Sequence, residues 1–151
     1  MGGWAGRVRR RTLHIETSVD IDAKAADVWS VLVEVERWPE WTESVSEVQR
    51  LDTGGLTTAS KVRLKQPRLP AMVWRVTEIE PPTSFSWSAS GGGVTTTAGH
   101  LVRAGQDGTV RVTLSIDQHG PMARVLGLFT SGLTRRYLHM EAQGLKRRCE
   151  A

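Results

Sequence analysis

The sequence predicts an α+β domain: a curved, seven-stranded antiparallel sheet wrapped around one long C-terminal helix, with two short helices after the first strand. Three observations predict it. Apolar and polar residues alternate with a period of two in a series of short segments. Glycine- and proline-rich turns separate those segments. The stretch from Pro121 to Arg148 contains no further proline and carries apolar residues at steps of three and four. At 151 residues the chain has the size of one domain, long enough to bury a core. We expect that domain at residues 11–150, preceded by a disordered tail at residues 1–10 that includes Trp4.

From Thr12 to Ile21, Leu13, Ile15, Thr17, Val19 and Ile21 fall on one side and His14, Glu16, Ser18 and Asp20 on the other, which predicts a half-buried strand. Asp22 is a suitable N-cap for a short helix in which Ala25, Val28, Trp29, Leu32 and Val33 recur at helical spacing. Glu36-Arg37-Trp38-Pro39-Glu40-Trp41 breaks that helix, because proline restricts the residue before it and lacks a backbone donor, and a further helical turn or two leads to the sheet. Strands are then expected at about Val45–Leu51, Ser60–Gln66, Met72–Glu80, Ser84–Ser90, Val94–Arg103 and Thr109–Gln118. The turns between them are short, which implies an antiparallel meander with one apolar and one polar face. In the final helix Pro121 suits the first helical position, and Met122, Val125, Phe129, Leu133, Tyr137 and Met140 form the stripe expected to face the sheet. Gly127, Gly132 and Gly144 each weaken this helix by about 1 kcal/mol relative to alanine, so packing must support it.

The formal net charge is +4 and the sequence pI about 9.8, yet the excess sits at the ends. Residues 1–11 hold 4 basic and no acidic residues, residues 121–151 hold 6 basic and 2 acidic, and residues 12–120 hold 10 basic and 14 acidic. That distribution argues against a nucleic-acid footprint. No apolar run approaches the length of a membrane span, so stable membrane insertion is not expected. The basic N-terminus lacks the apolar stretch of a secretory signal, so a cytoplasmic location is expected. Cys149, the only cysteine, excludes an internal disulfide and a cysteine-rich zinc site. His14, His100, His119 and His139 are far apart in sequence, and Gly91-Gly92-Gly93 lacks the lysine and hydroxyl of a phosphate-binding loop. No metal or cofactor is expected.

The order of elements resembles the START-related SRPBCC superfamily, in particular its polyketide cyclase/dehydrase branch. Ile21-Asp22-Ala23 before Val28-Trp29, the segment Glu36-Arg37-Trp38-Pro39-Glu40-Trp41, Val76-Thr77-Glu78-Ile79-Glu80-Pro81-Pro82 and Gly144-Leu145-Lys146-Arg147-Arg148 are similar to segments that recur in that family. The similarity covers roughly residues 11–150. It implies a helix-grip fold with a cavity between the concave sheet face and the terminal helix, where members hold lipids, polyketides or other hydrophobic molecules.

Within that frame the expected cavity walls are Leu64, Trp74, Val76, Trp87, Leu114, Phe129, Leu133 and Tyr137, with His100 and Gln118 as polar contacts. Trp74 and Trp87 read equally as filled core or as walls that recognise rings, and Trp38 and Trp41 as helix anchors or cavity-mouth residues. His100 points inward with Ala98 and Val102, or outward if Leu101 is the inward residue. Tyr137 offers a hydroxyl to the cavity or to a structural partner. Glu78 shares the parity of Trp74 and Val76, so its strand carries a carboxylate to the cavity or reaches the rim, and Arg75 faces solvent unless a bulge intervenes. No catalytic set is assigned. The expected ligand is an apolar small molecule and the expected assembly a monomer or homodimer. Phe129→Trp or Leu133→Trp is expected to abolish ligand uptake. Three alternatives stand beside this reading: a cyclase or dehydratase, a protein-interaction module docking an acidic partner on Lys146-Arg147-Arg148, and a membrane-surface lipid carrier using Gln66–Met72 beside Lys65 and Arg68.

Overall fold

Alternation of buried and exposed side chains along each strand decides which face of the sheet becomes the core. A computed structural model describes residues 13–151; the expected tail at residues 1–10, with Trp4, lies outside the described residues. Strand β1 (Leu13–Ile21) is followed by α1 (Ala25–Val33), a 3-10 helix (Val35–Glu40), β2 (Glu47–Arg50), β3 (Lys61–Lys65), β4 (Met72–Glu80), β5 (Ser84–Gly91), β6 (Val94–Ala104), β7 (Val110–His119) and α2 (Ala123–Glu150). The seven strands form one antiparallel sheet in the order β1-β7-β6-β5-β4-β3-β2. Every strand after β2 pairs with its sequence neighbour, and β1 closes against β7. The connection from β1 to β2 spans the whole sheet, and α1 and the 3-10 helix fill it.

Three local expectations need correction. Asp22 does not cap α1: Lys24 stands at the cap without a side-chain bond, and the Asp22 backbone N–H donates instead to Glu150 Oε2 at 2.8 Å. Pro121 lies before the capping residue Met122 rather than at the first helical position. The third concerns the phase of α2. Met122, Val125 and Phe129 are exposed, and the row facing inward is Ala123, Gly127, Leu138, Glu141, Ala142 and Leu145. The reason is distance. A Cβ on Gly127 would stand 2.8 Å from Leu13 Cδ2, and one on Gly144 would run into the Trp41 carbonyl oxygen, so the helix lies too close to β1 and to the 3-10 helix for large inward side chains at those levels.

The core gathers Ile15, Ile21, Val28, Leu32, Trp38, Val62, Val76, Phe85, Trp87, Val112, Leu114 and Leu145, all nearly fully buried, on the concave face and beneath the helices. A bulge between Val76 and Glu78 interrupts the β4–β5 register. Arg75 and Glu78 are both exposed, the latter where β4 leaves the core. The C-terminal end of α2 is fastened to the rest by Lys146 Nζ on the Asp20 carbonyl (2.8 Å) and Arg148 on Glu40 (2.8 Å).

Candidate functional site

Cross-strand pairing sets Val62 beside Trp74, Val76 beside Trp87, Trp87 beside Ala98 and Phe85 beside His100. Because these residues share one parity of the pleat, the aromatic rings collect on the concave face. His100 is therefore inward, with Ala98 and Val102, and is 4% exposed. Its ring stacks on Phe85 at 4.0 Å and 11°, with Trp38 and Trp87 at 5.6 and 5.7 Å. This cage buries the ring. Burial pushes the imidazole pKa down to about 4, against a smaller opposite effect of the Phe85 carbonyl.

That carbonyl also settles the tautomer. Phe85 O can only accept, so His100 Nδ1–H donates to it at 3.1 Å and Nε2 is left as an acceptor. Facing Nε2 at 3.7 Å is Oε1 of Glu141, from the inward row of α2. The separation exceeds a hydrogen bond, and Oε1 is a buried polar atom without a hydrogen-bond partner among the described residues. Burial raises the Glu141 pKa to about 8. At neutral pH the two groups are thus a neutral carboxylic acid opposite a neutral imidazole, not an ion pair.

A cavity of about 50 Å³ opens beside this pair, with Trp38, Trp74, Trp87, Leu138 and Ile116 among its walls and Gln66 at the end toward the β3–β4 loop. That loop is tied to α2: the Tyr137 hydroxyl donates to the Pro67 carbonyl at 2.5 Å. A larger concavity, about 780 Å³, is an open surface groove between the 3-10 helix and the outer side of α2, lined by Pro39, Trp41, His139, Met140 and Arg147. The inner cavity is the better candidate site despite its size, because the buried acid and base meet there.

Of the residues expected from the sequence, Leu64, Trp74, Trp87 and His100 line the cavity. Val76 and Leu114 are buried core residues outside its lining, and Gln118 is buried with Nε2 at 3.5 Å from Thr96 Oγ1. Tyr137 is buried and spends its hydroxyl on Pro67. Leu133 is half-buried and outside the lining. Phe129 is a correction: it is 82% exposed on the outer side of α2, so an indole there would project from the surface rather than fill the cavity. Trp38 is an anchor, its Nε1–H donating to Leu32 O at 3.0 Å, and its ring also forms wall. Sequence reasoning missed Glu141. Its spacing with Leu138, Ala142 and Leu145 is the signal that could have found it. Of the cationic last turn, Lys146 and Arg148 are already paired with Glu150 and Glu40.

Among the described residues no three His, Cys, Asp or Glu side chains stand together to hold a metal, and no helix is long and apolar enough to cross a membrane. A concave antiparallel sheet gripping a terminal helix, with a buried acid–base pair between them, defines the chain as a helix-grip domain of the SRPBCC type. It belongs to the family described as polyketide cyclase / dehydrase and lipid transport, whose model matches residues 12–150. No curated protein matches it. Among solved structures, a hypothetical protein from Helicobacter pylori aligns with a TM-score of 0.78 at 14% identity, over 97% of this chain and 92% of that one. The Zhui aromatase/cyclase from Streptomyces sp. R1128 aligns at 0.75 and 16%, over 92% and 94%. The protein Ara h 8.0201 aligns at 0.64 and 12%, over 89% and 97%. At such identities these structures share the fold.

Proposed function

We propose that this chain binds a small, largely apolar ring compound carrying one polar group, seated between Trp74, Trp87 and α2. The polar group meets Glu141 and His100. The observation that carries this reading is the unpartnered, buried Oε1 of Glu141 beside the cavity. A buried polar group without a partner costs on the order of 1–3 kcal/mol, and a ligand hydroxyl or carbonyl would recover part of that. The aromatic walls supply ring contacts. At about 50 Å³ the cavity is smaller than a ring compound, so uptake requires side chains or the β3–β4 loop to move.

The same pair favours a second reading, a dehydratase or cyclase. A neutral carboxylic acid can protonate a departing hydroxyl while a neutral imidazole accepts the proton from the adjacent carbon, so water leaves and a double bond forms without net charge change.

Native mass spectrometry of gently purified protein, followed by calorimetric titration with naphthol, tests the binding reading. Co-purification of a stoichiometric apolar compound, or naphthol binding that Ala98→Val weakens at least about tenfold, supports it. An empty protein with no naphthol heat, or binding unaffected by Ala98→Val, rules the cavity out as the binding site.

A further inference from the structure

The phase of α2 leaves its N-terminal half in an unusual state. Seven large apolar residues are conspicuously exposed among the described residues, and five of them, Met122, Val125, Leu126, Leu128 and Phe129, fall within one eight-residue stretch. They therefore form one patch rather than scattered exposure. Small residues take the inward row at this level, Ala123 and Gly127, while the large ones face out. Gly132, nearly one turn beyond Phe129, is exposed, and a methyl placed on it would meet nothing within 4 Å, so the face is open along the helix.

Charge identifies what would cover it. No aspartate or glutamate occurs between Asp117 and Glu141. Arg135 and Arg136 are exposed, and no hydrogen bond or ion pair holds them among the described residues. The Tyr137–Pro67 bond brings the β3–β4 loop, with exposed Arg68, to the same stretch of helix. The apolar residues stand on a ridge, with Leu128 and Phe129 at 83% and 82% exposure and no groove wall around them. A protruding apolar ridge flanked by cations fits a deformable anionic layer. A second copy of the chain would set ridge against ridge and offer the arginines no carboxylate from this segment.

We propose that the N-terminal half of α2 docks on the surface of an anionic lipid bilayer, with Leu128 and Phe129 inserted at the headgroup boundary and Arg135, Arg136 and Arg68 on lipid phosphates or carboxylates. This does not rest on the cavity reading. The full chain is sedimented with vesicles of phosphatidylcholine alone and of phosphatidylcholine containing about one-third phosphatidylserine. Binding to the anionic vesicles that declines with added salt is expected, and Leu128→Ser/Phe129→Ser should reduce it at least about tenfold while thermal unfolding stays unchanged, both side chains being exposed. Arg135→Gln/Arg136→Gln should weaken it as well. Absence of binding to anionic vesicles overturns the proposal. So does binding that survives Leu128→Ser/Phe129→Ser, which would assign it to the basic N-terminus, and so does a dimer that Phe129→Ser dissociates in a chain that ignores vesicles.

Discussion

Glu141 and His100 are both uncharged near neutral pH for one reason, burial, and this makes opposite demands on stability. Unfolded, the carboxyl titrates at 4.5 and the imidazole at 6.5; folded, burial moves them to about 8 and about 4. Between pH 4.5 and about 8 the unfolded chain has lost the Glu141 proton that the native chain keeps, so stability falls as pH rises. Between about 4 and 6.5 the unfolded chain binds a His100 proton that the native chain rejects, so stability falls as pH drops. The two effects oppose each other from pH 4.5 to 6.5 and leave a broad maximum there. Above it the Glu141 contribution approaches about 1.4 kcal/mol per pH unit. Denaturant midpoints of Glu141→Gln should lack the decline between pH 6.5 and 8, and an unchanged decline would show that another group causes it. Little of this pair was legible beforehand. His100 could be placed on a strand but not on a face, and a glutamate in a helix rich in charge reads as solvated until tertiary packing buries it.

At the scale of elements, the strands were legible because alternation survives wherever one face is buried, and β4 spans Met72–Glu80 as the pattern predicts. The length of α2 was legible too, from the absence of proline after Pro121. Its phase was not, because periodicity marks the larger side chains and the helix buries the smaller ones where it runs close to β1. The glycines of this helix should therefore behave differently. Gly132→Ala meets open space and should stabilise by roughly 0.5–1 kcal/mol through helix propensity. Gly144→Ala drives its methyl into the Trp41 backbone carbonyl, which cannot swing aside as a side chain can, and should destabilise by more than about 1 kcal/mol despite the same propensity gain. Thermal denaturation of the two variants checks both signs, and stabilisation by Gly144→Ala would mean that the helix stands farther from Trp41.

For the molecule as a whole, the bond from Tyr137 to Pro67 joins the middle of α2 to the loop that ends one side of the cavity, so helix and loop are fastened across the two layers of the fold. Tyr137→Phe removes the donor at a cost of about 1 kcal/mol. It should speed amide exchange across residues 66–71 while leaving the β5–β7 amides protected, and uniform acceleration would indicate general loosening instead. Family and fold could be read from element order, whereas the size of the cavity could not, since it depends on how completely the indoles of Trp38, Trp74 and Trp87 fill the concave face. The indoles carry a consequence of their own. Trp41, Trp38, Trp87 and Trp74 form a chain with successive ring centroids 5.6, 5.4 and 5.9 Å apart. At such spacing light absorbed by one of these rings is shared among the four, so they act optically as a single antenna. A guest touching Trp74 alone would alter emission gathered as far away as the 3-10 helix, and depolarised fluorescence is the native signature of the intact stack.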